Sequence, residues 1–208
     1  MNTSMTKNVM IDIETFGPRP NGLIVSIGAV VFSTDPDDIR DNRIFSGKKE
    51  EQFHSLLNEK CAETESRFVK DPKVMHWWQV DQAPAYAKLM EGMSRSPYDS
   101  EEFIGAFVTW LKPFCDEGHN IIGNAPSFDL VIIENACKVT GHSFPVPYRA
   151  ETDYRTITDL IYGSNAKPRP GPNEGHDALF DAKFQASTYA TAMGMFSNML
   201  RLAAMTEF

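Results

Sequence analysis

The sequence predicts an α/β fold in which helices flank a sheet whose first strands are antiparallel. Two observations carry this prediction. Strand-like apolar segments come first along the 208-residue chain, and helical spacings of apolar residues dominate after them, which favours an α/β or α+β sheet over an all-β sandwich. The composition, with 42% hydrophobic residues, supplies enough apolar surface for one core, so we expect a single domain over residues 1–208.

The first strands are predicted from hydrophobic runs that turn residues separate. Residues 9–14 alternate β-branched side chains against a second face, which is typical of a strand. Turn formers fill residues 15–22, and residues 23–32 are then almost unbroken apolar, which predicts a buried second strand antiparallel to the first. A weaker strand around residues 43–46 would complete a meander of three strands.

Helix signals follow these strands. The Asp71-Pro72 pair predicts a helix start, because proline is tolerated in a first helical turn, and Ser100 begins a segment with apolar residues at helical spacing. The other predicted elements are a helix at 83–90, a short strand at 121–123, helices at 130–139 and 156–162, a loop rich in proline and glycine at 163–175, and a closing helix at 177–193.

Net charge and cysteine usage narrow the class of protein. A formal charge of -8 excludes a broad basic surface that coats nucleic acid, because such binding depends on neutralising phosphates. It does not exclude a nucleic-acid hydrolase, since cations held by carboxylates reverse the local sign of the charge. The three cysteines form no Cys-x-x-Cys pair, and no segment reaches the ~20 apolar residues of a membrane span. We therefore expect a soluble protein of the cytoplasm.

Two acidic residues stand on the first predicted strand. Asp12 and Glu14 are two residues apart, so their side chains project from the same face. Without a cation they would repel each other, and oxygen ligands of this kind suit magnesium or manganese rather than zinc. The pair therefore indicates a divalent metal site, although a solvated strand edge would place two carboxylates in the same way.

Three further residues could complete such a site. Asp129 lies between a short predicted strand and a helical pattern, where a helix N-cap is the structural alternative. His176 precedes Asp181 by five residues, which on a helix would leave them on neighbouring faces. We therefore expect the histidine in the loop or first turn before the helix, and a purely structural histidine is the alternative.

In combination these residues resemble a known family. Asp-x-Glu at 12–14, Asn-x-x-x-Phe-Asp at 124–129 and His-x-x-x-x-Asp at 176–181 resemble the three exonuclease motifs of the DEDDh family, within the ribonuclease H-like superfamily. The resemblance covers nearly the whole chain, with a domain core at about 8–193. The tryptophan pair within residues 77–82 is similar to an element of the subgroup that includes phage exonucleases related to DexA and small bacterial 3′-to-5′ exoribonucleases. This similarity implies the cytoplasm of a bacterium or of a phage-infected host cell.

The resemblance implies a ribonuclease H-like mixed sheet and a 3′-to-5′ exonuclease that releases nucleoside 5′-monophosphates from single-stranded DNA or RNA. It implies two Mg²⁺ or Mn²⁺ ions, with His176 accepting a proton from water and Glu14 orienting that water. The implied metal ligands are Asp12, Glu14, Asp129 and Asp181. The residues expected to contact the substrate are Thr15, Phe16, Trp77, Trp78, Asn124 and Phe128. Core packing is the alternative for the tryptophans, and the resemblance also suggests a homodimer.

Two other functions fit the same residues. A two-metal phosphatase acting on small nucleotides would use similar carboxylates, and a catalytically silent nucleic-acid-binding module would have the same fold. The sequence lacks a P-loop, a Gly-x-Ser-x-Gly elbow and a zinc-type cluster of cysteine and histidine, which sets those chemistries aside. No motif decides between RNA and DNA, because that choice depends on contacts to the 2′-hydroxyl.

Overall fold

The fold is built on a five-stranded mixed sheet. The computed structural model of the chain describes residues 7–163, 166–171 and 175–205. The strands lie in the order β3-β2-β1-β4-β5, with antiparallel pairing among the first three in the chain and parallel pairing of β4 with β1 and β5. In chain order they are β1 (Lys7–Thr15), β2 (Ile24–Ser33), β3 (Gln52–Leu56), β4 (Asn120–Gly123) and β5 (Glu151–Asp153).

Helices cover both faces of this sheet. Asp71 accepts hydrogen bonds from the backbone N–H groups of Lys73 and Val74, which explains why the Asp71-Pro72 pair begins a helix as predicted. A π-helical turn over Trp77–Asp81 follows this helix. The helices are α1 (Pro36–Arg40), α2 (Glu59–Thr64), α3 (Pro72–His76), α4 (Ala83–Arg95), α5 (Ser100–Asp116), α6 (Asp129–Val139), α7 (Tyr154–Tyr162) and α8 (Ala178–Met205).

The alternation of β1 divides its side chains between two cores. Ile11 and Ile13 belong to the larger core, on one face of the sheet. Met10 belongs to a second core, which lies between the sheet and α8. Because side chains alternate along a strand, Asp12 and Glu14 share the face of Met10 and therefore lie on the α8 side. The buried α8 residues in this second core are Ala182, Ala186, Tyr189 and Ala190.

Gly28 in β2 lets the start of α8 approach the sheet closely. It pairs with Asp12 of β1 in the antiparallel register. A Cβ atom added at Gly28 would lie 2.1 Å from the backbone carbonyl carbon of Ala178, the first residue of α8. Only glycine allows this approach, so the first turn of α8 lies directly over the strand pair that carries the acidic residues.

One predicted strand is wrong. Residues 43–46 are irregular, and the third strand is β3 at Gln52–Leu56. Ile44 accepts a single backbone hydrogen bond from Ser33 and packs with Phe45 against the second core, so this segment fills the edge of the core without pairing along a strand. β3 has no apolar alternation that the sequence could reveal, because most of its side chains are only partly buried.

The other predicted elements are confirmed in position and differ mainly in length. The closing helix ends at Met205 rather than near 193, and its last buried residue is Ala192. The loop predicted at 163–175 is irregular at 166–171, while residues 164–165 and 172–174 lie outside the described residues. Within the described ranges, no helix combines the length and the hydropathy that crossing a membrane requires.

Candidate active site

A cleft with a volume of about 1190 Å³ opens at one edge of the sheet. The parallel strands β1 and β4 both run toward this edge, and the starts of α6, α7 and α8 border it. Residues that are distant in the chain therefore line one cavity. All four expected metal ligands are among them, namely Asp12, Glu14, Asp129 and Asp181, together with His176.

Three of the expected metal ligands converge in this cleft. One carboxylate oxygen from each of Asp12, Glu14 and Asp181 lies within 4.8 Å of the other two. Asp12 and Glu14 are each only 8% exposed. Gln185, one turn after Asp181 on α8, donates a hydrogen bond from Nε2 to Asp12 Oδ1 at 2.8 Å. The first turns of α8 thus bring Asp181 close to Asp12 and Glu14, and they place Gln185 where it orients Asp12.

The described residues leave the charge of these carboxylates poorly balanced. Burial raises the pKa of Asp12 well above its ordinary value, and repulsion from Glu14 and the other acids raises it further. Burial, followed by repulsion from Asp181, raises the pKa of Glu14 in the same way. Gln185 Oε1 is also buried and has no hydrogen-bond partner in the described part of the chain. A buried donor set of oxygen atoms with excess negative charge fits divalent cations such as Mg²⁺ or Mn²⁺.

Asp129 lies next to this group of three but outside the 4.8 Å within which their oxygens converge. It is the first residue of α6, and its Oδ2 accepts a backbone hydrogen bond from Ala125 at 3.0 Å. The N-cap of α6 is Phe128, so Asp129 does not have the capping position that was its structural alternative. Burial raises the pKa of Asp129 to about 6, although backbone N–H groups and the charge of Arg155 oppose this shift. The negative charge of Asp129 also raises the pKa of Asp12, so Asp129 lies close to the three converging carboxylates.

His176 lies immediately before α8 in an unusual backbone conformation. Its φ of 67° is in the left-handed region that residues other than glycine rarely adopt. Its backbone N–H donates to Asp181 Oδ2 at 2.7 Å. Its imidazole centroid is 5.0 Å from the ring of Trp77 and 5.6 Å from that of Trp78, both nearly perpendicular. The backbone of His176 is therefore tied to Asp181, while its imidazole packs against the two indoles. Such local strain is typical of functional positions.

The residues expected to contact substrate have different degrees of exposure. Asn124 and Phe128 are partly buried and line the cleft. Trp77 also lines it and is 36% exposed, so its ring is the most accessible of the expected aromatic contacts. Phe16 is only 4% exposed and Trp78 only 1%.

Trp78 and Phe16 instead support the end of β1. Trp78 Nε1 donates to the backbone oxygen of Thr15 at 2.9 Å, and the Phe16 ring packs edge-on against Trp78. The hydroxyl of Thr15 donates to the backbone oxygen of Gly17, which fixes the following turn. Neighbouring side chains cover the faces of Phe16 and Trp78, so a base has no room to stack on them in this conformation. Core packing, the alternative considered for the tryptophans, describes Trp78.

Several cleft residues were not identified from the sequence. Gln185 follows Asp181 by four residues, so the shared helix face was a usable signal for it. Lys88, Arg155 and Arg169 are exposed basic residues that line the cleft. No motif marks them, because isolated basic residues are ordinary on protein surfaces. Only the tertiary structure brings them to the same cavity.

Comparisons with known proteins identify relatives of this chain. A family model described as the 3′-5′ exoribonuclease Rv2179c-like domain matches residues 7–193. The match includes every expected site residue from Asp12 to Asp181. No curated protein sequence matches the chain significantly.

Solved structures with a similar fold are distant in sequence. The chain is similar to the nuclease domain of 3′hExo, a DEDDh family member bound to rAMP, at 14% identity and a TM-score of 0.50, over 92% of this chain and 93% of that one. It is similar to cell-death related nuclease 4 (CRN-4) at 14% identity and a TM-score of 0.52, over 94% of this chain. It spans 64% of the CRN-4 chain, which is less than two thirds. These likenesses confirm the expected ribonuclease H-like fold class.

Proposed function

Because the chain belongs to the Rv2179c-like family of 3′-5′ exoribonuclease domains, we propose that it degrades single-stranded nucleic acid from the 3′ end to nucleoside 5′-monophosphates. Membership of this family makes the chain a 3′-5′ exonuclease. The proposal concerns its substrate, its ions and the residues that act. Assignment to the DexA-like subgroup stays a prediction, as does the cytoplasm of a bacterium or an infected host cell as its location.

The convergence of Asp12, Glu14 and Asp181 within 4.8 Å is the observation that supports this proposal most strongly. Buried carboxylates that repel one another are unfavourable unless a cation or a proton neutralises them. The cleft above them is large enough to admit a nucleotide, and His176 stands at its border. A small-molecule phosphatase would need the same acids but not a cleft of about 1190 Å³.

The proposed roles follow from these positions. Asp12, Glu14, Asp129 and Asp181 would hold two Mg²⁺ or Mn²⁺ ions, whose chemistry is to stabilise charge on the attacking and leaving oxygens of a phosphodiester. His176 accepts the proton of the attacking water, and Glu14 orients that water. The water oxygen bonds to phosphorus as the bond from phosphorus to the 3′-oxygen breaks, and the leaving 3′-oxygen takes up a proton from solvent. The departing nucleotide thus carries a 5′-phosphate, and the shortened strand ends in a 3′-hydroxyl.

We expect RNA to be the preferred strand, since the family is described as exoribonucleases. The test is a time course with 5′-labelled RNA and DNA of the same sequence, in magnesium, manganese or chelator. A 3′-blocked strand and a duplex serve as controls. A ladder that shortens by one nucleotide at a time supports exonuclease action. Equal rates on RNA and DNA would contradict the preference for RNA but not the exonuclease function.

Two variants test the assigned residues. Asp12→Asn is expected to abolish metal-dependent hydrolysis and leave the fold intact, because asparagine has the same shape without the charge. His176→Ala is expected to lower the rate by about a hundredfold or more and to leave metal binding unchanged. Asp116→Asn, which changes an exposed acid on α5, is the matched control. Full activity of either site variant would contradict the roles proposed here.

Two results would support the rival functions. Release of phosphate from mononucleotides, with no shortening of strands, would indicate a phosphatase. Binding of strands without hydrolysis in any divalent cation would indicate a catalytically silent module.

We also propose a homodimer formed through the end of α8. Six apolar residues in its last turns are between 39% and 76% exposed, and a surface of this kind on an isolated helix end favours association. A second copy of the chain offers the same apolar helix end, so it is the partner we expect. These residues are Met195, Phe196, Met199, Leu200, Leu202 and Met205.

Sedimentation measurements test the dimer. The wild-type chain is expected to sediment as a dimer at micromolar concentration, and Leu200→Lys as a monomer. Val131→Lys, which charges an exposed apolar position on α6, is the control and is expected to remain dimeric. A wild-type chain that is monomeric at every concentration would contradict the dimer.

A further inference from the structure

The cleft carries basic side chains to which the proposed hydrolytic steps assign no role. Arg155 stands in the first turn of α7, and Arg169 stands in the irregular segment 166–171. Both are exposed, and both line the cleft. Neither forms an ion pair within the ranges that the structure describes. In a chain of net charge -8, two such cations beside the acidic cluster point to an anionic ligand.

Arg169 stands in a segment that has little conformational freedom. Pro168 and Pro170 flank it, and proline fixes its own φ and restricts the residue before it. Lys167 fastens the segment to α7, because its Nζ lies 3.1 Å from Asp159 Oδ1. The ammonium of Lys167 is thus already partnered, whereas the guanidinium of Arg169 remains available to a ligand. A stiff, anchored segment loses little entropy when that ligand binds.

Arg155 lines the same cleft from the first turn of α7. Its Nε donates to the backbone oxygen of Asn124 at 3.2 Å. Asn124 directly follows β4, and the chain then leads to Asp129 at the start of α6. This bond therefore holds the guanidinium close to the proposed metal ligands. A guanidinium has five N–H donors, so the contact with Asn124 leaves several for a phosphate.

We propose that Arg155 and Arg169 form a phosphate-binding wall, which holds the sugar-phosphate backbone of the strand upstream of the bond that is cut. The inference rests on the proposed exonuclease function and adds a substrate class to it. The preferred substrate is an oligonucleotide with at least two phosphodiesters beyond the scissile one. Because the wall contacts phosphates, it positions the strand and does not select its bases.

The test measures binding separately from hydrolysis. All variants are made in the Asp12→Asn background, and the dissociation constant of a fluorescent single strand is followed by anisotropy over a range of salt concentrations. Each phosphate contact contributes about 0.7 to the slope of log K against log salt, so Arg155→Gln with Arg169→Gln is expected to lower that slope by about 1.4 and weaken binding roughly tenfold or more. Arg155→Lys with Arg169→Lys is expected to restore most of the slope.

The matched control removes the same charge elsewhere. Lys60→Gln with Lys138→Gln changes two exposed lysines outside the cleft and is expected to leave the slope unchanged. A second test uses single strands of increasing length, from a dinucleotide upward. In the Asp12→Asn parent, the affinity is expected to rise with strand length. In the double arginine variant, most of this dependence on length is expected to disappear.

The outcomes separate this inference from the function on which it rests. A salt slope in the arginine variant equal to that of the lysine control overturns the wall, even if the wild-type chain degrades strands. No measurable binding of any strand by the parent protein also overturns it. A wild-type chain that binds strands through the two arginines but never cuts them contradicts the exonuclease mechanism and leaves the wall standing.

Discussion

The imidazole of His176 lies edge-on to the indole of Trp77, with centroids 5.0 Å apart and ring planes at 88°. The ring of Trp78 contacts the same imidazole from a buried position. Two aromatic neighbours therefore restrict the rotation of the proposed general base. One of them is partly exposed and can be changed without opening the core.

Trp77→Ala is expected to lower the hydrolytic rate by about tenfold to a hundredfold, because a misplaced general base loses its alignment with the attacking water. Trp77→Phe preserves an aromatic contact and is expected to lose less. Single-turnover rates measure the effect, and thermal unfolding shows that the fold persists. Val80→Ala changes a more exposed residue of the same π-helical turn and is the control. An unchanged rate for Trp77→Ala would show that the indole does not position His176.

Asp12→Asn is expected to raise the melting temperature of the chelated protein. Burial and carboxylate repulsion raise the pKa of Asp12 in the folded state, so its ionised form destabilises that state at neutral pH. Removing the charge relieves this, and each kcal/mol corresponds to about 2–4 °C for a domain of this size. The variant is also expected to lose most of the stabilisation that magnesium or manganese gives the wild type. A calorimetric scan with and without cation tests both effects, and a metal-induced shift as large as that of the wild type would contradict them.

Gly28→Ala is expected to destabilise the fold by about 1–3 kcal/mol, because its methyl group would overlap the backbone of Ala178. The rate of hydrolysis is expected to fall by more than the loss of folded protein explains, because the displaced turn of α8 carries Asp181. Gly194→Ala is the control, because a Cβ there would meet only the side chain of Ile39, at 3.3 Å. Denaturant unfolding and initial rates are the measurements. Equal behaviour of the two variants would show that the close approach at Gly28 is not needed.

Glu65→Gln is expected to lower stability at neutral pH by about 1 kcal/mol, a modest value because Arg67 is partly exposed and solvent screens the pair. Hydrogen bonds from Arg67, followed by one from Ser100, outweigh burial and lower the pKa of Glu65 from 4.5 to about 2. A carboxyl group whose pKa is lower in the folded state stabilises that state above its unfolded pKa. This contribution is therefore complete above about pH 5 and is lost as the pH falls from there toward 2.

Urea titrations of the wild type and Glu65→Gln over this pH range test the prediction. The difference between them is expected to shrink steadily with acidification. Glu101→Gln is the comparison. Arg67 lowers the pKa of Glu101 as well, but Glu101 is half exposed, so its difference from the wild type is expected to be smaller. A difference that stays constant down to the lowest pH would contradict the ionic origin of the effect.

The sequence predicted the parts of this structure that depend on local pattern. β1 and β2 are buried on both faces, so their apolar runs are unambiguous. β1 carries Asp12 and Glu14 two residues apart, so the sequence predicted from alternation alone that they share one face of the sheet. β3 was missed because partly buried strands have no clear period.

The parts that were missed depend on tertiary contacts. The burial of Phe16 and Trp78 results from packing between segments that are far apart in the chain. Arg155 and Arg169 reach the cleft only because the fold brings the start of α7 and the segment at 166–171 to its border. Local spacing carries no information about contacts between distant segments, whereas the family resemblance did connect the three acidic motifs.

The close packing of α8 against Gly28 bears on how the protein responds to divalent cations. Cations shared between β1 and Asp181 would join the helix end to the sheet, so their loss leaves that end held by packing and by the hydrogen bond from Gln185 to Asp12. Amide hydrogens in the opening turn of α8 should then exchange faster as free magnesium is withdrawn, while those of β1 stay protected. We therefore expect magnesium to stabilise the opening turn of α8 and, through it, the position of Asp181 that the proposed reaction requires.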